Sequence, residues 1–147
     1  MHPGDEPFAH CRVWVKNLNR FFYPQLIPEK ELISLVGLTH NQLWDFSMKF
    51  SEPFLQQGGQ QGRRRYKFDV NNVKFHSVFF RKPHRMTRDS LSLLFLLKIH
   101  EGLSNRLLST IFGNSESAIG ALLNDYRDFV WRTDEWLQRT RNLSDIT

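Results

Sequence analysis

The stretch from Gly102 to Asn124 constrains this chain most. Ser104 is suited to cap a helix, because its hydroxyl can accept from an amide left unpaired in the first turn. Leu107, Leu108, Ile111 and Phe112 then fall on one face at helical spacing. Gly113 is the natural stop, since glycine enters the left-handed conformation that closes a helix without steric cost. Ser115 caps a following helix with Ala118, Ile119, Leu122 and Leu123 on its apolar side. Ser109 is small and suggests a close crossing of the two. Helix, glycine turn and helix in this arrangement form a helix-turn-helix.

A longer helix precedes it. Thr87 is its expected cap and Asp89 lies in its first turn. Leu91, Leu94, Phe95, Lys98 and Ile99 alternate with Leu93, Leu96 and Leu97, so this helix is apolar almost all round and must be buried on several sides. It braces the hairpin, and the three helices over residues 87–131 make the compact trihelical unit used by many DNA-binding proteins. The last helix extends through Tyr126, Phe129, Val130 and Trp131, and residues 132–147 read as a tail.

Upstream, Pro28 suits a first helical position, with Glu29 and Glu31 at the positive end of the helix dipole. Gly37 stops this helix and Thr39 caps a second carrying Leu43, Trp44, Phe46 and Phe50, so residues 28–52 are expected as a short helical hairpin closed by Pro53. Residues 1–27 show no clear period. Gln56 to Arg65 is low in complexity and then basic, which marks residues 53–86 as a flexible basic linker. Within it the spacing of Val70, Val73, Phe75 and Val78 to Phe80 suggests a short helix over about 70–80. The expected fold is all-α, a small helical bundle with a trihelical unit and a flexible basic linker.

Charge is distributed unevenly. Residues 60–88 hold nine Lys and Arg against the single acid Asp69, while residues 1–59 and 89–147 are each slightly acidic, within a chain of net charge +5. A block of this kind attracts phosphate and releases counterions on binding, although a charge run also serves as a solvated linker. One cysteine, Cys11, excludes an intrachain disulfide and any multi-cysteine zinc site, and His10 beside it has no second ligand pair nearby. No metal or cofactor is expected. No apolar run approaches the roughly 20 residues of a membrane helix, and the N-terminus lacks a secretory pattern, so an intracellular protein without a membrane partner is expected.

Residues 86–131, with Gly-Leu-Ser at 102–104, the pair Leu107-Leu108, Phe112-Gly113 and Ser-x-Ser-x-Ile at 115–119, resemble the helix-turn-helix region preceding the catalytic domain of DDE-superfamily, Harbinger/insertion-sequence-like transposases. Residues 35–46 resemble the short helical element that often precedes it. The resemblance implies nuclear binding of double-stranded DNA at transposon ends, with a transposase catalytic chain or a second copy as further partner. In that family a separate nuclease domain cuts DNA with three carboxylates and divalent metal. Here Asp125, Asp128, Asp134 and Glu135 lie in or next to one helix, and the chain ends at Thr147, about where that domain would begin. Catalysis is therefore not expected.

The chain departs from the family pattern after the turn. Asn114 stands where an apolar residue is usual, and Gly120 and Ala121 where Ser-Arg is usual. Ser115, Glu116, Ser117 and Asn124 remain as candidate groove contacts: Glu116 can accept from a cytosine amine and Asn124 can pair with adenine. With no arginine there, base reading should be weak and phosphate contacts should supply most of the affinity. The candidates for those are Arg63, Arg64, Arg65, Arg81, Lys82, Arg85 and Arg88. The competing expectation is a protein-interaction domain that keeps the helix-turn-helix fold, has lost DNA recognition, and docks through the acids at 125–135.

Overall fold

The computed structural model describes residues 19–57, 66–69, 71–79 and 86–146, of which 19 and 135–146 are described by backbone alone. The elements run α1 (Asn19–Phe22), a 3-10 turn (Pro24–Leu26), α2 (Glu29–Val36), α3 (His40–Phe46), a π-helical turn (Ser47–Ser51), α4 (Glu52–Gln57), β1 (Tyr66–Asp69), β2 (Lys74–Ser77), α5 (Arg88–Glu101), α6 (Asn105–Phe112) and α7 (Glu116–Ile146). It is a small all-α bundle with one two-stranded hairpin attached.

Capping decides where the helices begin and end. Thr39 and Thr87 each accept from an amide three residues on, Gln42 and Ser90, whose side chains accept the cap's own N–H in return. Ser104 and Ser115 accept from the amides of Leu107 and Ala118. Gly37, Gly102 and Gly113 take φ of +74°, +66° and +73°, which turns the chain out of α2, α5 and α6. Pro28 sits one position before α2 rather than within it.

α5 is the central rod. Every residue from Ser90 to Leu97 is buried, as a helix apolar on all sides requires, and α1, α2, α3, the π turn, α6 and α7 all pack around it. Leu94, Leu97, Leu108, Phe112, Ile119 and Leu122 form one core, as their spacing predicts. Aromatic rings fill the rest. Phe21 and Phe22 meet Phe112 edge-on at 6.3 and 5.8 Å, and Phe54 and Phe95 meet Tyr126 edge-on at 5.2 and 5.0 Å.

Residues 1–27 are not irregular throughout, since Asn19–Phe22 is helical, Pro24–Leu26 is a 3-10 turn, and Phe21, Phe22 and Ile27 join the core; three further expectations need correction. The helix from α3 does not stop at Pro53 but runs on through the π turn to Gln57. The Glu52 amide donates to Ser47, five residues back, so the ladder has shifted by one residue just before the position where proline removes a donor. The widened turn also points Ser47 and Ser51 inward, where their hydroxyls lie 2.7 and 2.6 Å from the Ser92 hydroxyl, and Ser51 lies 2.6 Å from that of Tyr126.

The second correction is the helix expected over 70–80, which is a hairpin. β1 and β2 pair antiparallel with Tyr66 opposite Ser77 and Asp69 opposite Lys74. The Asp69 carboxylate accepts from the amides of Asn71 and Asn72 and from the Asn72 side chain, which folds the chain back. Tyr66, Phe75 and Ser77 are buried while Lys67, Asp69, Lys74 and His76 are exposed, a period of two. The outer edge of β2 is covered by the segment entering α5, since the Phe75 amide donates to Met86 and Lys74 bridges to Thr87.

The third concerns the C-terminal tail. α7 is continuous through Ile146, a 31-residue helix about 46 Å long at 1.5 Å per residue.

Candidate nucleic-acid interface

The candidate surface is built on α6, the Gly113 turn and the first turns of α7. After Phe112 the amides of Gly113 and Asn114 both donate to the Ser109 carbonyl, at 2.9 and 3.1 Å, which draws the chain into a tight corner. The Ser109 hydroxyl turns back to Arg106 at 2.6 Å and does not mark the crossing. The close approach lies at Gly120, where an added β-carbon would stand 3.4 Å from the Asn105 side-chain nitrogen.

Beyond the corner, Ala118, Ile119, Leu122, Leu123 and Tyr126 are buried, while Ser115, Glu116, Ser117 and Asn124 are all exposed. Ser117 and Asn124 are seven residues apart and share one side of α7. The structure brings these four candidate groove contacts to one solvent-facing surface. Arg127 and Asp128 lie exposed beside them and pair with each other at 3.7 Å.

On the far flank of that stripe lies the hairpin. The Tyr66 hydroxyl donates to the Asp125 carboxylate at 2.8 Å, and its ring packs on Phe54 at 4.9 Å. Asp125 is thus engaged with β1, which removes it from the acidic docking face considered above. At about 100° per residue, Gly120 and Asp125 face directions about 140° apart on α7, and Ser117, Ala121 and Asn124 fall within that arc. The exposed stripe is bordered by α6 on one side and by the hairpin on the other.

The basic candidates divide. Arg63, Arg64, Arg65, Arg81, Lys82 and Arg85 lie outside the described residues.

Arg88 is described, and it is turned inward. Its guanidinium meets Glu52 and Asp89, each at 3.2 Å, and the Met48 sulfur at 3.1 Å; its side chain is only 11% exposed. It ties α5 to α4 and is not offered to phosphate, which corrects its place among the phosphate contacts.

Lys67 and Lys74, counted only as part of the charged segment, stand exposed on the hairpin as further basic candidates. Their signal was the alternation of charged and aromatic residues through Tyr66-Lys67-Phe68-Asp69 and Lys74-Phe75-His76. Among the described residues no group of three or more His, Cys, Asp or Glu is placed to hold a metal ion, and no helix is long and apolar enough to cross a membrane. The chain has no match among family models, curated proteins or solved structures.

Proposed function

We propose that this chain is a DNA-binding helix-turn-helix module of transposase derivation, acting in the nucleus and non-catalytic by itself. It holds duplex phosphates through its basic segment and reads bases weakly through α7. The observation that carries this reading is the position of Ser115, Glu116, Ser117 and Asn124, exposed together on the helix that follows the Gly113 turn. A helix presented in this way fits the major groove. Its short and acidic side chains offer little base discrimination, so affinity rests on the basic residues of the segment at 60–88 other than Arg88.

The test is fluorescence anisotropy with two unrelated duplexes over a salt series. Binding that uses about six phosphate contacts falls roughly a thousandfold between about 50 and 200 mM salt. Neutralising Arg81, Lys82 and Arg85 together should flatten that slope and weaken both duplexes equally. Changing Glu116 or Asn124 should alter the preference between them with little effect on the slope.

A second reading, a protein-interaction domain, is favoured by two large exposed aromatics, Trp131 at 72% and Trp44 at 52% exposure. It becomes the preferred reading if no duplex binds at about 50 mM salt, or if the triple variant binds as wild type does.

A further inference from the structure

The hairpin has one face committed and one unassigned. Its inner face, with Tyr66, Phe75 and Ser77, is buried beside α4 and α7. The outer face presents Lys67 opposite His76 and Asp69 opposite Lys74, all four exposed. The single acid on that face is Asp69, whose carboxylate accepts N–H groups from the Asn72 side chain and from the amides of Asn72 and Asn71; these, with the charge of Lys74 opposite, hold it below the usual carboxylate range and so ionised. Among the described residues neither lysine is in an ion pair. With two lysines against one carboxylate the outward surface keeps an excess of one positive charge, and it sits at the flank of the exposed stripe of α7, pinned there by the Tyr66–Asp125 hydrogen bond.

We propose that this β-hairpin is a second DNA-contacting element, lying on the phosphate backbone beside the groove that α7 enters, with Lys67 and Lys74 as its phosphate contacts. The inference deepens the DNA-binding reading and rests on it. A helix with its side chains is about 10–12 Å across and the major groove about 12 Å wide. An element packed against the side of a groove-bound helix therefore meets the groove wall, which is phosphate. Phosphate is also the partner that a pair of exposed lysines complements, and contact with it needs no base-reading geometry.

The experiment uses the full chain as wild type, K67Q/K74Q, K67R/K74R and the control K30Q, whose lysine is exposed on α2. Anisotropy is read against a duplex of two helical turns (about 20 bp) over a salt series. Loss of two phosphate contacts lowers the slope of log K against log salt by about 1.8, and affinity at about 0.1 M salt by roughly tenfold to a hundredfold. K67R/K74R should bind as wild type does, K30Q should change nothing, and melting should confirm that every variant is folded. If wild type binds duplex and K67Q/K74Q matches it in affinity and slope, the hairpin inference is overturned while the α7 reading stands. If wild type binds no duplex, or binds polyglutamate as tightly, both fall together.

Discussion

Asn105, the first residue of α6, lies against the backbone of Gly120 on α7, with 3.4 Å between its side-chain nitrogen and the place a β-carbon would occupy. That distance is ordinary van der Waals contact. Gly120→Ala should therefore fit and recover the helix propensity that glycine forfeits, raising stability by about 0.5–1 kcal/mol. Gly120→Val brings further atoms toward Asn105 and should lower it. Thermal melts of the two variants check the pair, and destabilisation by alanine would place Asn105 closer than described.

Gly113 presents the opposite case. Nothing lies within 4 Å of a β-carbon added there, yet its φ is +73°. The cost of substitution is conformational, roughly 1–2 kcal/mol for alanine and more for a β-branched residue. Asparagine tolerates the left-handed region better. Denaturant midpoints should fall in the order Gly, Asn, Ala, Val, and a Gly113→Val protein as stable as wild type would contradict the turn.

Arg88 separates structure from binding. Its partners Glu52 and Asp89 are themselves largely covered, so Arg88→Ala should cost about 1–3 kcal/mol, the worth of hydrogen bonds to a charged group. On duplex DNA the same variant should keep the wild-type salt slope, since this guanidinium neutralises no phosphate. A slope lowered by about one unit would restore it to the contact surface.

Tyr126 carries a pH dependence. Its phenol is fully buried, and burial pushes its ionisation well above the ordinary tyrosine range, outweighing the hydrogen bonds from Ser51 and Ser92 that favour the ionised form. A raised folded-state value means that the stability it contributes is complete below the unfolded pKa near 10. As pH rises above that point the unfolded chain releases a proton that the folded chain retains, and stability declines. Tyr126→Phe should lose about 1–3 kcal/mol at neutral pH, because Ser51 loses a buried partner. It should also lack the component of alkaline destabilisation due to this residue, read as a shallower fall in melting temperature above about pH 10.

Local signals explain what was legible in the sequence. Ser104, Thr87, Thr39 and Gly113 act within four residues of themselves, and the helical face through Leu108, Phe112, Ile119 and Leu122 needs only a regular period. The hairpin was obscured because Phe68, Val73, Phe75, Val78 and Phe79 crowd one short stretch, hiding the alternation, while the decisive signal was polar, at Asp69, Asn71 and Asn72. Arg88 counted as a basic residue because its partner Glu52 lies 36 positions away. Ser47, Ser51 and Ser92 gave no sign of burial, since serine is mostly found at surfaces and only the π turn aims the first two inward.

The hydroxyls gathered by that turn form one chain across the core, from Tyr126 on α7 through Ser51 and Ser47 of the π turn to Ser92 on α5. Ser51 and Ser92 each stand in two hydroxyl contacts and own a single proton, so each must accept in at least one of them. Phenylalanine at 126 removes one link of this chain, whereas alanine at 92 removes two at once and leaves Ser47 and Ser51 without their shared partner.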